Sequence, residues 1–245
     1  MIGVIGGMGA FATAKFYQML ISARQLKTEQ EIPDILLYSK SSIPDRTAFI
    51  TGDSIVSPAE ELINAARFLQ YAGAEVIAMP CVTAHFFYNE IFDAVSIPVC
   101  NLVEIIWQDV QHTKEKIGLL ATDGTLAAQL FPVQPGRDII LPDEENQQEL
   151  MRIIYEIKKG ECKQPNTYVY RDILHELEMH LLSKGAEVII LGCTELSLIA
   201  EQGRRDRIDP LECLADATLR MNDIIVAKGR EKNNEKSTGI LGEHS

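Results

Sequence analysis

Positive charge is scarce in this chain. Its 245 residues carry 23 Lys and Arg against 35 Asp and Glu, a formal charge of −12. That balance argues against nucleic acid and against an anionic membrane surface as partners, since both require basic patches. An anionic small molecule stays open, because one buried arginine decides such binding locally. No apolar run is long enough to span a bilayer. The first residues carry no basic segment and are broken by Gly3, Gly6, Gly7 and Gly9, so no signal peptide is expected. The five cysteines (Cys81, Cys100, Cys162, Cys193, Cys213) are odd in number and widely spaced. That fits a reduced, cytoplasmic protein better than a disulfide framework, and the plain reading of Cys100, Cys162 and Cys213 is a small buried hydrophobe. Nucleotide signatures are missing too. Gly3-x-x-Gly6-Gly7-x-Gly9 lacks dinucleotide spacing, the second strand ends in Ser39-Lys40 rather than an acid, and no Gly-Lys-Ser/Thr loop exists.

What is present is an alternation of short apolar runs and helical patterns. With 46% hydrophobic residues the chain can bury a proper core. Met1 to Ile5 reads as a strand, Gly6-Gly-Met-Gly9 as a turn and Ala10 to Ala23 as a helix. Asp34 to Ser39 is a second strand, and the polar stretch from Ser41 to Asp53 reads as a functional loop. Ser57 and Pro58 open a helix that stops at Gly73, and Ala74 to Met79 is a strand running into Cys81. The pattern then restarts: strands at Ile117–Leu120, Ile139–Leu141 and Glu187–Leu191, with helices over 144–159 and 170–183. A last helix from Pro210 to about Ala227 precedes a polar tail over 228–245. Strands alternating with helices imply parallel sheets with right-handed crossovers.

The chain also repeats itself. Gly73-Ala-Glu-Val-Ile77 leads into Cys81, and the same five residues, Gly185-Ala-Glu-Val-Ile189, lead into Cys193. Both features recur at one offset of 112 (185 − 73 and 193 − 81), while Ile2-Gly3 and Gly9 recur as Ile117-Gly118 and Gly124 at 115. Duplication of one α/β unit explains all three coincidences. The expected fold is therefore α/β, with two pseudo-symmetric domains built on parallel sheets and the active site in the cleft between them. Residues 1–98 with the returning helix 210–227 form one domain, and 99–209 form the other. Ligands in such sheets bind beyond the carboxyl ends of the strands, where Cys81 and Cys193 both sit. A helix start beside each cysteine favours the thiolate. A thiolate facing a thiol across one small molecule suits removal of a proton from one face and delivery to the other.

Four segments, Gly6-Gly-Met-Gly9, Ile43-Pro-Asp-Arg-Thr47, Met79-Pro-Cys-Val-Thr-Ala-His85 and Gly192-Cys-Thr-Glu195, resemble the signatures of the aspartate/glutamate racemase family, in particular its cofactor-independent aspartate racemase branch. The resemblance runs from residue 1 to about 225. It implies racemisation of an acidic amino acid, aspartate first and glutamate second, by a two-cysteine proton transfer, without pyridoxal phosphate or metal, often in a homodimer. It casts Cys81 and Cys193 as the acid/base pair and Arg46 as the carboxylate-binding group, a role that a planar guanidinium fork suits. It also implies substrate-side roles for Met8, Gly9, Val82, Thr83, Thr125, Lys163 and Thr194.

Two positions depart from the family pattern. Ala10 stands where Pro is common, and Val82 stands where Asn usually follows the first cysteine. Val cannot donate the amide hydrogen bond, a loss of roughly 1.5–3 kcal/mol at a charged group. Val82 therefore leaves room for other members of the superfamily, of hydantoin racemase, maleate isomerase or decarboxylase type, or for a relative that binds a ligand without turnover. His85, four residues past Cys81, reads as a capping or packing residue; a zinc site of Cys81, His85 and Cys193 is the alternative. Glu195 reads as a first-turn helix acid or a proton relay.

Overall fold

The computed structural model describes residues 1–23, 27–110, 116–133, 135–161, 167–201 and 204–240. The first half runs β1 (Ile2–Gly6), α1 (Ala10–Ser22), β2 (Ile35–Ser39), α2 (Arg46–Thr51), α3 (Ala59–Tyr71), β3 (Val76–Ala78), α4 (Tyr88–Asp93) and α5 (Leu102–Val110). The second runs β4 (Lys116–Ala121), α6 (Asp123–Ala127), β5 (Asp138–Ile140), α7 (Glu144–Lys159), α8 (Thr167–Ser183), β6 (Val188–Gly192), β7 (Arg207–Ile208) and α9 (Pro210–Ile240). All strand pairs are parallel, in sheets ordered β2-β1-β3 and β5-β4-β6-β7. The α/β fold with two parallel-sheet domains expected from the sequence is what forms.

The internal repeat extends to the register. Ile2 pairs with Val76 and Gly3 with Ile77 in the first sheet, and Ile117 pairs with Val188 and Gly118 with Ile189 in the second. Those four positions are related by the same offsets, 115 and 112, that the sequence shows. The helix ends match as well. Gly73 and Gly185 take φ of +97° and +95°, a conformation that glycine adopts without a Cβ penalty. Ala74 N donates to Leu69 O at 3.0 Å and Ala186 N to Leu181 O at 3.1 Å, closing both helices in the same glycine-terminated way.

Side chains alternate along each strand, and both faces are apolar because helices cover both. Ile2, Val4, Val76, Ile117, Leu119, Val188 and Ile190 face a shared central core with Phe16, Ile106, Leu211 and Leu214. Leu62, Leu69 and Ile91 cover the outer face of the first sheet, and Leu150, Ile154 and Leu177 that of the second. Both sheets thus lean on one layer of α1, α5 and α9.

Two expectations need correction. The stretch 41–53 is not loop throughout: α2 forms inside it, started by the Asp45 carboxylate, which accepts from Ala48 N at 2.9 Å, and closed by Gly52 in the left-handed conformation. The last helix does not stop near Ala227 but continues past Gly229 to Ile240.

The central strands carry a glycine where a helix presses close. A Cβ on Gly3 would sit 2.8 Å from Ala74 Cβ, whereas one on Gly118 would meet Ile189 Cδ1, the movable end of its side chain, at 2.5 Å. Gly3→Ala should therefore destabilise the protein by about 1–3 kcal/mol, and Gly118→Ala by less. Urea unfolding checks the order; a larger loss in Gly118→Ala would refute it.

Candidate active site

Both cysteines lie past the carboxyl ends of their strands, Cys81 after β3 and Cys193 after β6, and both are buried, at 5% and 4% exposure. They line one narrow cleft between the two halves, together with Met8, Arg46, Thr47, Val82, Thr83, Lys158 and Glu195. The cleft is nearly closed, with a cavity volume of about 10 Å³. Both thiols are free.

The surroundings of the two sulfurs differ. Cys193 Sγ donates to Glu195 Oε2 at 3.0 Å, and the other oxygen of that buried carboxylate accepts from Gly9 N at 2.9 Å. Burial first, and the Glu195 charge second, push the Cys193 thiol well above its ordinary value, with Lys158 offsetting part of the rise. The helix dipole expected to favour a thiolate here is too short to compete, because only a three-residue 3-10 turn, Leu196–Leu198, follows. Lys158 comes from the last turn of α7. Its own burial works against its charge, but Glu195 and Cys193 outweigh that and raise its pKa.

Arg46 is 7% exposed and forms the first residue of α2. Its guanidinium donates to the carbonyls of Ile43 (3.2 Å), Pro44 (2.9 Å) and Met8 (3.3 Å), all backbone oxygens. Its Nε is buried with no hydrogen-bond partner. A carboxylate in the cleft would meet a guanidinium that no acidic side chain has neutralised by hydrogen bonding.

Three of the residues expected at the substrate stand behind the lining. Thr125 Oγ1 lies 3.0 Å from Thr83 Oγ1, and Thr122 Oγ1 joins the same cluster at 2.9 Å from Thr83 and 3.0 Å from Thr125. Thr194 Oγ1 sits 3.2 Å from Pro80 O and 3.4 Å from Glu195 Oε2, so its one proton holds the two strand ends together. Gly9 contributes its N–H to Glu195 rather than a surface. Met8, Arg46, Val82 and Thr83 do line the cleft with both cysteines. Lys163 lies outside the described residues. The lysine that does reach the cleft is Lys158, which the sequence offers no means to tell from its neighbour Lys159.

His85 serves the capping role. Its Nε2 accepts from Leu102 N at 3.0 Å, at the start of α5, so Nδ1 carries the proton and donates to Cys81 O at 2.8 Å. Burial lowers its pKa, and its backbone partners only partly restore it, which keeps the ring neutral. With both nitrogens taken by backbone, His85 is not available to a zinc ion. Among the described residues no group of three or more His, Cys, Asp or Glu side chains could hold a metal. Cys100 and Cys213 fit their packing role, with both thiols raised by burial.

Comparison with known proteins follows this geometry. Residues 5–218 match the Asp/Glu/hydantoin racemase family. The broad specificity amino-acid racemase RacX of Bacillus subtilis is 28% identical over 228 residues, covering 89% of this chain and 96% of that protein. The structure of an aspartate racemase homologue from Pyrococcus horikoshii superposes with a TM-score of 0.68 at 28% identity, over 90% of this chain and 97% of that one. A putative Asp/Glu racemase from Yersinia pestis gives 0.64 at 30% identity, over 89% and 96%. Picrophilus torridus aspartate racemase shares the fold, with a TM-score of 0.78 at 24% identity over 90% and 93%. On the strength of the match over 5–218, this chain belongs to the Asp/Glu/hydantoin racemase family, whose named relatives here are isomerases.

Proposed function

We propose that this protein racemises an acidic amino acid, aspartate first and glutamate second, by moving a proton between Cys81 and Cys193 through the substrate α-carbon. The observation that carries the reading is a single narrow cleft holding two buried, free thiols beside a buried guanidinium with an unpaired Nε. One sulfur, as thiolate, takes the α-proton: the Cα–H bond breaks and an S–H bond forms. The electron pair left on Cα delocalises into the α-carboxylate, and the opposite S–H protonates the other face. The two sulfurs have then exchanged roles. Burial and the Glu195 charge raise the Cys193 pKa, and in this scheme Cys193 is the resting thiol while Cys81 takes the first proton.

Arg46 and Lys158 supply positive charge for the two carboxylates of the substrate, and the narrow walls favour the shorter side chain. No cofactor is needed for the transfer so described. The same reading takes the protein to be a cytoplasmic homodimer, for which its mass in solution is the check on assembly.

A second reading stays within the family. Val82 is 1% exposed and presents an apolar wall where an amide would bind an α-carboxylate. Together with the resemblance to a broad-specificity relative, this favours testing neutral amino acids and hydantoins beside the acidic ones. Proton NMR in heavy water over a panel of D- and L-substrates, with a chelator and without pyridoxal phosphate, separates the readings. Exchange of the aspartate α-proton supports the first. Exchange restricted to neutral substrates would replace it with the second, and ligand-dependent stabilisation without exchange anywhere would make the protein a binder.

Alanine in place of either Cys81 or Cys193 should lower racemisation by about 10²–10⁴-fold. Full activity in either variant would end the two-thiol mechanism. Arg46→Lys keeps the charge and removes the planar fork, so KM for aspartate should rise about tenfold or more. An unchanged KM would move carboxylate binding elsewhere. In a Cys81→Ser background, Glu195→Gln keeps an acceptor for Gly9 N–H and removes the charge beside Cys193. Because that charge disfavours the thiolate, alkylation of Cys193 by iodoacetamide, mapped by peptide mass, should become fast at lower pH than in the parent. An identical pH profile would show that the carboxylate does not act on the sulfur.

A further inference from the structure

Lys158 reaches the cleft on a long, rotamer-rich stem, and what holds it there is a ring. Its Nζ lies 5.0 Å from the centre of the Tyr155 ring, within the range at which an aromatic face attracts a cation. The two residues are three apart near the end of α7, so they share one face of the helix. Among the described residues no ion pair and no hydrogen bond holds this ammonium. The stem extends toward the other half of the molecule, where a Cβ on Gly9 would sit 3.7 Å from Lys158 Cγ.

Tyr155 also meets the opposite wall. Its hydroxyl end faces the Thr47 side chain, and Thr47 follows Arg46 at the start of α2. The charged groups around the Tyr155 side chain are Asp45, Lys158 and Arg46, and those around the Lys158 ammonium are Glu195, Cys193, Arg46 and Asp45. Burial first, and the Asp45 charge second, raise the Tyr155 pKa, so the hydroxyl keeps its proton. One side chain therefore touches the elements that carry both cations of the cleft. We propose that Tyr155 is a positioning residue: it holds the Lys158 ammonium at a set distance from the Arg46 guanidinium, and so sets the length of dicarboxylate accepted, aspartate over glutamate. The length selection rests on the racemase reading, and the placing of Lys158 rests on the contacts alone.

Tyr155→Leu removes the ring and Tyr155→Phe keeps it. In Tyr155→Leu, KM for aspartate should rise about fivefold or more with kcat changed by less, and the preference for aspartate over glutamate in kcat/KM should fall by a similar factor. Tyr155→Phe should return KM for aspartate to within about twofold of the parent. A Phe variant no better than Leu, or an unchanged preference in Tyr155→Leu, would overturn the role. The Lys158 charge favours the Cys193 thiolate against burial and Glu195. In a Cys81→Ser background, Tyr155→Leu should thus move the midpoint of Cys193 alkylation by iodoacetamide to higher pH, and Tyr155→Phe should leave it in place. A cleft that is merely looser would speed alkylation at every pH with the midpoint unmoved, and that outcome would overturn the placing of Lys158. Alkylation needs no turnover. If the parent exchanges the α-proton of neither aspartate nor glutamate, the racemase reading and the length selection fail together, while the midpoint still decides what Tyr155 does to Lys158.

Discussion

Two residues past each cysteine, a side chain crosses from one half of the molecule to the glycine turn of the other. Thr83 reaches the hydroxyls of Thr122 and Thr125 at the start of α6, and Glu195 reaches the N–H of Gly9 at the start of α1. The two positions are equivalent under the internal repeat, 112 residues apart. Each strand end is therefore clamped by the half that did not build it. Each buried hydrogen bond of this kind adds about 0.5–1.5 kcal/mol, somewhat more where a charge takes part. Their larger effect is geometric, because proton transfer tolerates little misplacement of donor and acceptor.

The scaffold is symmetric while the chemistry on it is not. The position that is a neutral hydroxyl behind Cys81 is a carboxylate behind Cys193, and the position after each sulfur is Val82 in one half and Thr194 in the other. The two-thiol exchange proposed above requires one thiol and one thiolate at rest, and identical surroundings would leave that choice undecided. Glu195 makes the two sulfurs unlike, because it accepts a hydrogen bond from Cys193 and opposes negative charge on that sulfur. At Cys81 the fixed neighbour is a neutral imidazole bonded to the backbone carbonyl, which positions the peptide without adding charge. The duplicated fold thus supplies a matched pair of sites, and single substitutions within it make their surroundings unlike.

Most of this architecture was legible in the sequence because it rests on strong local signals. Apolar runs marked the longer strands, Gly73 and Gly185 marked helix ends, and the offsets of 115 and 112 marked the equivalence of the two halves, which the registers of β1 with β3 and β4 with β6 share. What escaped depended on length or on distant partners. The six residues of α2 are too few to show helical periodicity, and β7, with two residues, exists only as a partner for β6. Lys158 and Lys159 are alike in sequence, and the rotation of α7 about its packed face alone sends one to the cleft and the other to solvent. The bond from Glu195 spans 186 residues, so a local reading could see a first-turn acid but not what it would grip.

The charge balance gains a sharper meaning from the cleft. A chain with a net charge of −12 places two cations, Arg46 and Lys158, on the wall between its thiols. The only carboxylate among the lining residues, Glu195, is already engaged by Cys193 and by Gly9 N–H. Burying the Arg46 Nε without an acceptor costs about 1–3 kcal/mol, and the fold bears that cost in a residue of the cleft wall. The overall acidity disfavours polyanions, and the local reversal of sign places positive charge where the proposed substrate would bring its carboxylates. The compact acidic amino acid proposed as substrate is matched to that contrast in sign and to the narrowness of the walls.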